Sequence, residues 1–334
     1  LQPQDPNDME IRQLGNSSLN LPVLTLGTWE LGDPSCWTPG NQPEDVVRAA
    51  LDHGINSFDC AESYQDGETE IALGRALGKD RSRAIIGTKV SAGNLPPERV
   101  VASCEASLRR LGTDTIDLYQ VHWPNPEVPF EDTCGALERL RQQGKIREIG
   151  VSNFGPRDMR AWLRAGRLAS NQMCYNALFR AIEFELLPDC ISNQIGLIAY
   201  SPLMGVLGGR WLNVDEIPRE RRNRRIFGTD STDPERITTA AEVTRVLQGF
   251  AALSDECGLS MPELAIGWLL AQPGVTTTIF GGKQPGQIER NARAAAVKLD
   301  SGILARINQL TDPLKQRVGP NADPWLEADE SRVR

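Results

Sequence analysis

Ile55-Asn56-Ser57-Phe58-Asp59-Cys60-Ala61-Glu62-Ser63-Tyr64 is a short apolar run that gives way to polar residues, the pattern of a buried strand end entering a loop. A carboxylate in that position, here Asp59, needs a partner. Two later runs offer one at their own C-terminal ends: Lys89 closes Ala84-Ile-Ile-Gly-Thr-Lys89, and His122 closes Ile116-Asp-Leu-Tyr-Gln-Val-His122. With Tyr64 these groups form a site only if the three strands are parallel and adjacent. The mouth of a (β/α)8 TIM barrel has that geometry.

The rest of the chain alternates accordingly. A turn at Gly15-Asn-Ser-Ser18 between two short alternating runs predicts a β-hairpin over 9–21. Eight strands follow, at 23–27, 55–60, 84–89, 116–122, 146–152, 170–175, 196–200 and 276–280. Helical patterns lie between them at 43–52, 68–77, 97–111, 130–142, 156–165, 183–192, 238–256, 261–270 and 285–295. Gly54, Gly78, Gly112, Gly144, Gly166 and Gly258 stand where a left-handed C-cap suits glycine. An unbroken α/β alternation favours one barrel over two domains. Residues 1–8 read as a disordered lead-in, 9–318 as the barrel with an extra helix at 301–310, and 319–334 as a tail. A long loop after the seventh strand, 201–238, carries the basic run Pro218-Arg-Glu-Arg-Arg-Asn-Arg-Arg225. It is either a solvated loop or a grip on phosphates or an anionic substrate.

Composition narrows the function. The 334 residues carry 36 Lys and Arg against 44 Asp and Glu, a net charge of −8, which disfavours nucleic acid or anionic membrane as the main partner. Two histidines, His53 and His122, leave no histidine-rich metal site, and no metal is expected. His53, beside Gly54, reads as finishing a helix. Seven cysteines without a Cys-x-x-Cys pair fit a reducing compartment. No run of about eighteen apolar residues is present, nor a secretory leader, so a cytoplasmic location is expected.

Several signatures occur in order: Leu26-Gly-Thr-Trp29, Phe58-Asp-x-Ala-x-x-Tyr64, Gly150-Val-Ser-Asn153, Ala199-Tyr-Ser-Pro202 and Gln287-x-x-x-Asn291. With them the chain resembles the aldo-keto reductase superfamily from about Met9 to about Leu310. The resemblance implies that Asp59, Tyr64, Lys89 and His122 are the catalytic tetrad. It also implies a hairpin that caps the bottom of the barrel. Residue chemistry is compatible with those roles. Reduction of a carbonyl needs a proton donor where negative charge grows on oxygen, and Tyr64 can serve. Lys89 would favour phenolate in a group whose free pKa is near 10, Asp59 would hold Lys89 charged, and His122 would orient the carbonyl. Taken singly, Asp59 could cap a turn, Lys89 could be a solvated strand-end residue, Tyr64 a rim aromatic and His122 a core histidine.

The resemblance further implies NADPH as cofactor, with NADH as the alternative. Ser152, Asn153 and Gln172 would take the nicotinamide carboxamide, Tyr200 its ring face, and Ser201, Leu203 and Gly205 the pyrophosphate. Trp29 would join the cofactor and substrate contacts. Gly282, Lys283, Gln287 and Asn291 would hold the adenosine end, Lys283 facing the 2′-phosphate. Three positions depart from common wording: Gln287 stands where some relatives have arginine, Phe280-Gly281 replaces Pro-Gly, and Cys60 replaces threonine. Trp29, Trp37, Trp123 and Trp325 could wall a substrate pocket, with Trp29 and Trp123 the primary contacts, while Trp162 and Trp268 read as core. Glu30, Asp33 and Glu62 near the mouth would suit a hydroxylated substrate. The expected partner is a small carbonyl compound, a sugar among the candidates. Two other readings stand beside it: a cofactor-binding regulator like the potassium channel β subunits, and a barrel glycosidase with paired carboxylates.

Overall fold

The computed structural model describes residues 9–37, 40, 42–227 and 239–334. The expected lead-in, 1–8, and the last part of the long loop, 228–238, lie outside them. Eight strands close a barrel in which every pairing is parallel: β3 (Leu24–Gly27), β4 (Ser57–Asp59), β5 (Ile85–Val90), β6 (Ile116–Val121), β7 (Ile146–Ser152), β8 (Ser170–Cys174), β9 (Gly196–Tyr200) and β10 (Val275–Phe280), with β10 returning to β3. Helices α1 (Pro43–Asp52), α2 (Glu68–Leu77), α3 (Pro97–Leu111), α4 (Phe130–Gln142) and α5 (Pro156–Ala165) alternate with them as expected. They are followed by α6 (Leu186–Ser192), α7 (Ala240–Cys257), α8 (Met261–Leu270), α9 (Pro285–Ala296) and α10 (Ser301–Val318). Helices and strands share one large apolar core that includes Phe58, Trp162, Phe250 and Trp268.

The N-terminal hairpin, β1 (Ile11–Gln13) antiparallel to β2 (Asn20–Pro22), closes the other end. Its Leu14, Leu19 and Leu21 pack on the barrel-interior residues Leu118, Ala169, Ile198 and Ile279, which removes that end from water. Gly15 turns this plug at φ +55, and a Cβ there would stand 2.5 Å from the Gln194 carbonyl.

Three expectations about the elements are corrected. Helix α6 starts at Leu186, after a 3₁₀ turn at Ala181–Phe184; Pro188 is tolerated only in a first turn, so a helix begun at 183 would carry it inside. Helix α10 runs on through Pro313 to Val318, because burial of Leu314 and Val318 and the Lys315–Glu183 ion pair outweigh the lost hydrogen bond. Gly166 is extended rather than left-handed; glycine is needed because a Cβ would meet the Cys134 sulfur at 2.3 Å.

The C-terminal stretch, read as a tail, folds back over the barrel mouth. Buried Asp323 accepts from the backbone N–H groups of Trp325, Leu326 and Arg332. Arg225 of the long loop donates to the carbonyls of Asp323 and Asn321. The Arg334 carbonyl accepts from the Asp158 N–H at 2.9 Å.

Candidate active site

Strand register brings the expected groups together. Asp59 pairs in register with Gly87, two residues before Lys89, and Lys89 pairs with Gln120, two residues before His122. Because alternate residues point the same way, Asp59, Lys89, Gln120 and His122 form a ladder at the C-terminal strand ends. Tyr64 reaches them from a 3₁₀ turn following β4.

Lys89 is fully buried. Its ammonium donates to Asp59 Oδ2 at 2.6 Å, to the Cys60 carbonyl at 2.8 Å and to the Tyr64 hydroxyl at 3.3 Å. Burial alone would lower its pKa, but the Asp59 charge, with Tyr64, holds it above the ordinary lysine value. The other Asp59 oxygen, Oδ1, accepts from Gln172 Nε2 at 2.8 Å and Gln120 Nε2 at 3.4 Å. The carboxylate is therefore satisfied on both sides, as a buried charge requires.

Lys89 pulls the Tyr64 phenol toward phenolate, as expected, but does not decide its pKa. Burial raises its pKa most, Asp59 adds to the rise, and the opposing pull of Lys89 is smaller, so the phenol stays above its ordinary value. At neutral pH it carries its proton. Burial, then the charge of Lys89, pushes His122 down to about 3. Its neutral ring meets Tyr64 edge-on at 5.7 Å between centroids and has Ser63 Oγ 3.4 Å from Nδ1.

Above this set lies a cavity of about 540 Å³, lined by Asp59, Tyr64 and His122 at its base. Ser152, Asn153, Gln172 and Tyr200 form one wall, and Ser201, Leu203 and Gly205 extend it. Asn153, Ser201 and Met204, all in the lining, adopt left-handed backbone angles, with φ 62, 58 and 49. Such conformations cost on the order of 1–3 kcal/mol each and cluster at functional sites. Two of them are held by hydrogen bonds: Asn153 Nδ2 donates to the His122 carbonyl, and Asn176 Nδ2 to that of Ser201. The Tyr200 hydroxyl donates to Asn153 Oδ1 at 2.9 Å, which fixes the tilt of its ring.

Of the adenosine-end candidates, Asn291 lines the cavity, whereas Gly282, Lys283 and Gln287 do not. Gln287 Oε1 accepts from the N–H groups of Lys283 and Gln284, so this side chain caps α9. Trp29, Trp123 and Trp325 line the mouth, but Trp37 lies outside the lining and donates its indole N–H to the Glu30 carbonyl. Glu30 lines the cavity, its pKa raised by burial. Asp33 instead caps a turn through Ser35, and Glu62 Oε1 is engaged by Ser91 and Asn94. His53 finishes α1 by bonding the Ala49 carbonyl, and Trp162 and Trp268 are core, as expected. Gln120 and Ser63 were missed; for Gln120 the signal was its spacing of two from His122. Among the described residues no group of three or more His, Cys, Asp or Glu side chains could hold a metal ion, all seven cysteines are unpaired, and no helix is long and apolar enough to cross a membrane.

Known proteins resemble this chain in sequence and fold. The chain is 33% identical to the aldo-keto reductase YhdN of Bacillus subtilis over 327 residues, covering 93% of this chain and 97% of that one. It is 30% identical over 329 residues to the NADH-specific methylglyoxal reductase of Escherichia coli, with 91% and 98% covered. Among solved structures, the glycerol dehydrogenase from Gluconobacter oxydans superposes with a TM-score of 0.77 at 29% identity, over 97% of this chain and all of that one. An aldo-keto reductase from Klebsiella pneumoniae in complex with NADPH gives 0.72 at 28% identity, over 90% and 96%. Residues 23–312 match the model of the aldo/keto reductase family, and with the closed parallel barrel and its plugged floor this places the chain in that family.

Proposed function

We propose that the protein reduces an aldehyde or ketone to the alcohol with NADPH, NADH being the alternative, and that Asp59, Tyr64, Lys89 and His122 carry the reaction. The observation behind this is the buried Lys89 ammonium bridging Asp59 and Tyr64 under a cavity lined by Tyr64 and neutral His122. The nicotinamide cofactor, when bound, supplies the hydride. Tyr64 gives its proton to the carbonyl oxygen as charge grows there, and Lys89 stabilises the phenolate left behind. Asp59 keeps Lys89 charged, and the uncharged His122 ring orients the oxygen by hydrogen bonding. Ser152, Asn153 and Gln172 would hold the carboxamide, with Tyr200 beside the ring. Ser201, Leu203 and Gly205 would take the phosphates, and Gly282, Lys283, Gln287 and Asn291 the adenosine end. The convergence of polar groups beside Tyr64, and the hydrogen bonds that hold the strained Asn153 and Ser201 there, fit such a ligand.

Fluorescence titration with NADPH and NADH in parallel, then absorbance loss on adding aldehydes and sugars, tests this. Binding with consumption supports it. If neither nucleotide binds, the proposal fails. A relative 31% identical over 335 residues, covering 92% of this chain and 98% of that one, is a probable voltage-gated potassium channel subunit beta of Arabidopsis thaliana; tight nucleotide retention without turnover would favour that kind of regulator.

A further inference from the structure

Four arginines of the basic run and the C-terminal stretch crowd the barrel mouth in an acidic protein, and their surroundings separate them. Arg225 keeps only 7% of its side chain exposed, with its N–H groups on backbone carbonyls. Arg332 stacks on Trp123 at 3.9 Å and donates twice to the Asp323 carboxylate, at 3.1 and 3.3 Å. Arg334 pairs with Asp158 at 3.5 Å, outside the cavity lining. Arg224 differs from all three. It is the one cationic side chain among the described residues that line the cavity. Its guanidinium lies over Trp325 at 4.4 Å and bonds the neutral amide of Asn223 at 3.0 Å. No carboxylate among the described residues pairs with it.

A guanidinium held over an indole and spending one N–H on Asn223 has further N–H donors for an anion, and its planar fork matches carboxylate and phosphate geometry. Position points to the substrate side of the cavity. Trp325 lies 5.9 Å from Trp123, the neighbour of His122, and 6.4 Å from Tyr200. The two acids in the lining leave the charge available: Asp59 is paired with Lys89, and Glu30 packs on Gly281 at the β10 side.

We infer that Arg224 is a specificity-determining residue that selects carbonyl substrates carrying a carboxylate or a phosphate group. The inference rests on the reductase function proposed above and narrows its substrate class.

The test is the ratio of kcat/KM for anionic over neutral members of matched pairs: 4-oxobutanoate against butanal, and glyceraldehyde 3-phosphate against glyceraldehyde. The pair with the larger ratio tells carboxylate from phosphate. Wild type should prefer the anionic member. Arg224→Gln should lower the ratio about tenfold or more, the scale of a charge-assisted hydrogen bond, and Arg224→Lys should restore part of it. Quenching of tryptophan fluorescence by 4-hydroxybutanoate against butan-1-ol reads the same preference without turnover. A wild-type ratio at or below one, a ratio unchanged in Arg224→Gln, or an effect confined to NADPH affinity overturns the inference. If no member of either pair is reduced, the reductase proposal fails, and the fluorescence preference alone decides Arg224.

Discussion

The Lys89 ammonium stands 3.3 Å from the Tyr64 hydroxyl, and desolvation of the phenol outweighs the pull of Lys89, so that it keeps its proton at neutral pH. An acid so held has nothing to replace it nearby, since neutral His122 gives up a ring proton reluctantly. Tyr64→Phe should lower kcat by about 10²–10⁴-fold, the usual worth of a positioned acid, with NADPH affinity within about twofold of wild type. Steady-state kinetics and fluorescence titration check this. A kcat within tenfold of wild type would remove Tyr64 as the acid.

Lys89→Met leaves the Asp59 carboxylate buried among Gln172, Gln120 and apolar walls without a cation. Removing one partner of such a pair costs about 3–5 kcal/mol. The double variant Asp59→Asn/Lys89→Met removes the stranded charge and should recover most of that stability. It should not recover turnover, because the phenolate left on Tyr64 would have no counter-charge. Urea denaturation gives the first quantity and steady-state assays the second. If the double variant is no more stable than Lys89→Met, the ion pair is not what the stability depends on.

The barrel and its reactive set were legible because both follow from periodicity. Parallel strands buried on both faces read as apolar runs, and a period of two puts Lys89, Gln120 and His122 on one side of their strands. What was not legible depends on contacts distant in sequence. Nothing local to Trp325 shows that Asp323 and Arg225 will fold 319–334 over the mouth. Nothing local to Tyr64 shows that burial will outweigh Lys89. Trp37 and Glu62 looked like site residues by nearness in the chain, yet their polar atoms serve the Glu30 carbonyl and the Ser91 N–H. Arg224 is set apart from the four other arginines of 219–225, and from Arg332 and Arg334, only by its contacts.

His122 makes stability depend on acid. In the unfolded chain a histidine titrates near 6.5, whereas burial and the Lys89 charge push the folded ring down to about 3. Below pH 6.5 the unfolded chain takes up a proton that the folded chain refuses. Stability present above 6.5 is therefore lost as pH falls toward 3, by up to about 1.4 kcal/mol per pH unit. His122→Asn lacks this slope. Between pH 7 and pH 5 the stability of wild type should drop about 2 kcal/mol more than that of the variant, read by urea denaturation at each pH. Equal drops would mean that His122 titrates normally in the fold.

Asp323→Ala tests whether the C-terminal stretch serves binding rather than the proton transfer. Asp323 is fully buried, and Trp325, Leu326 and Arg332 all depend on its two oxygens. Arg332 is about half exposed and can be hydrated when released, so the loss should be about 2–3 kcal/mol, below that of a fully buried pair. With Trp325 loosened, the mouth loses one aromatic wall, whereas Asp59, Lys89 and Tyr64 remain anchored in β4, β5 and the turn between β4 and α2. KM for the carbonyl substrate should rise several-fold while kcat changes less. Steady-state kinetics separates the two. A fall in kcat as large as that of Tyr64→Phe, with KM unchanged, would show that the stretch supports the proton donor instead.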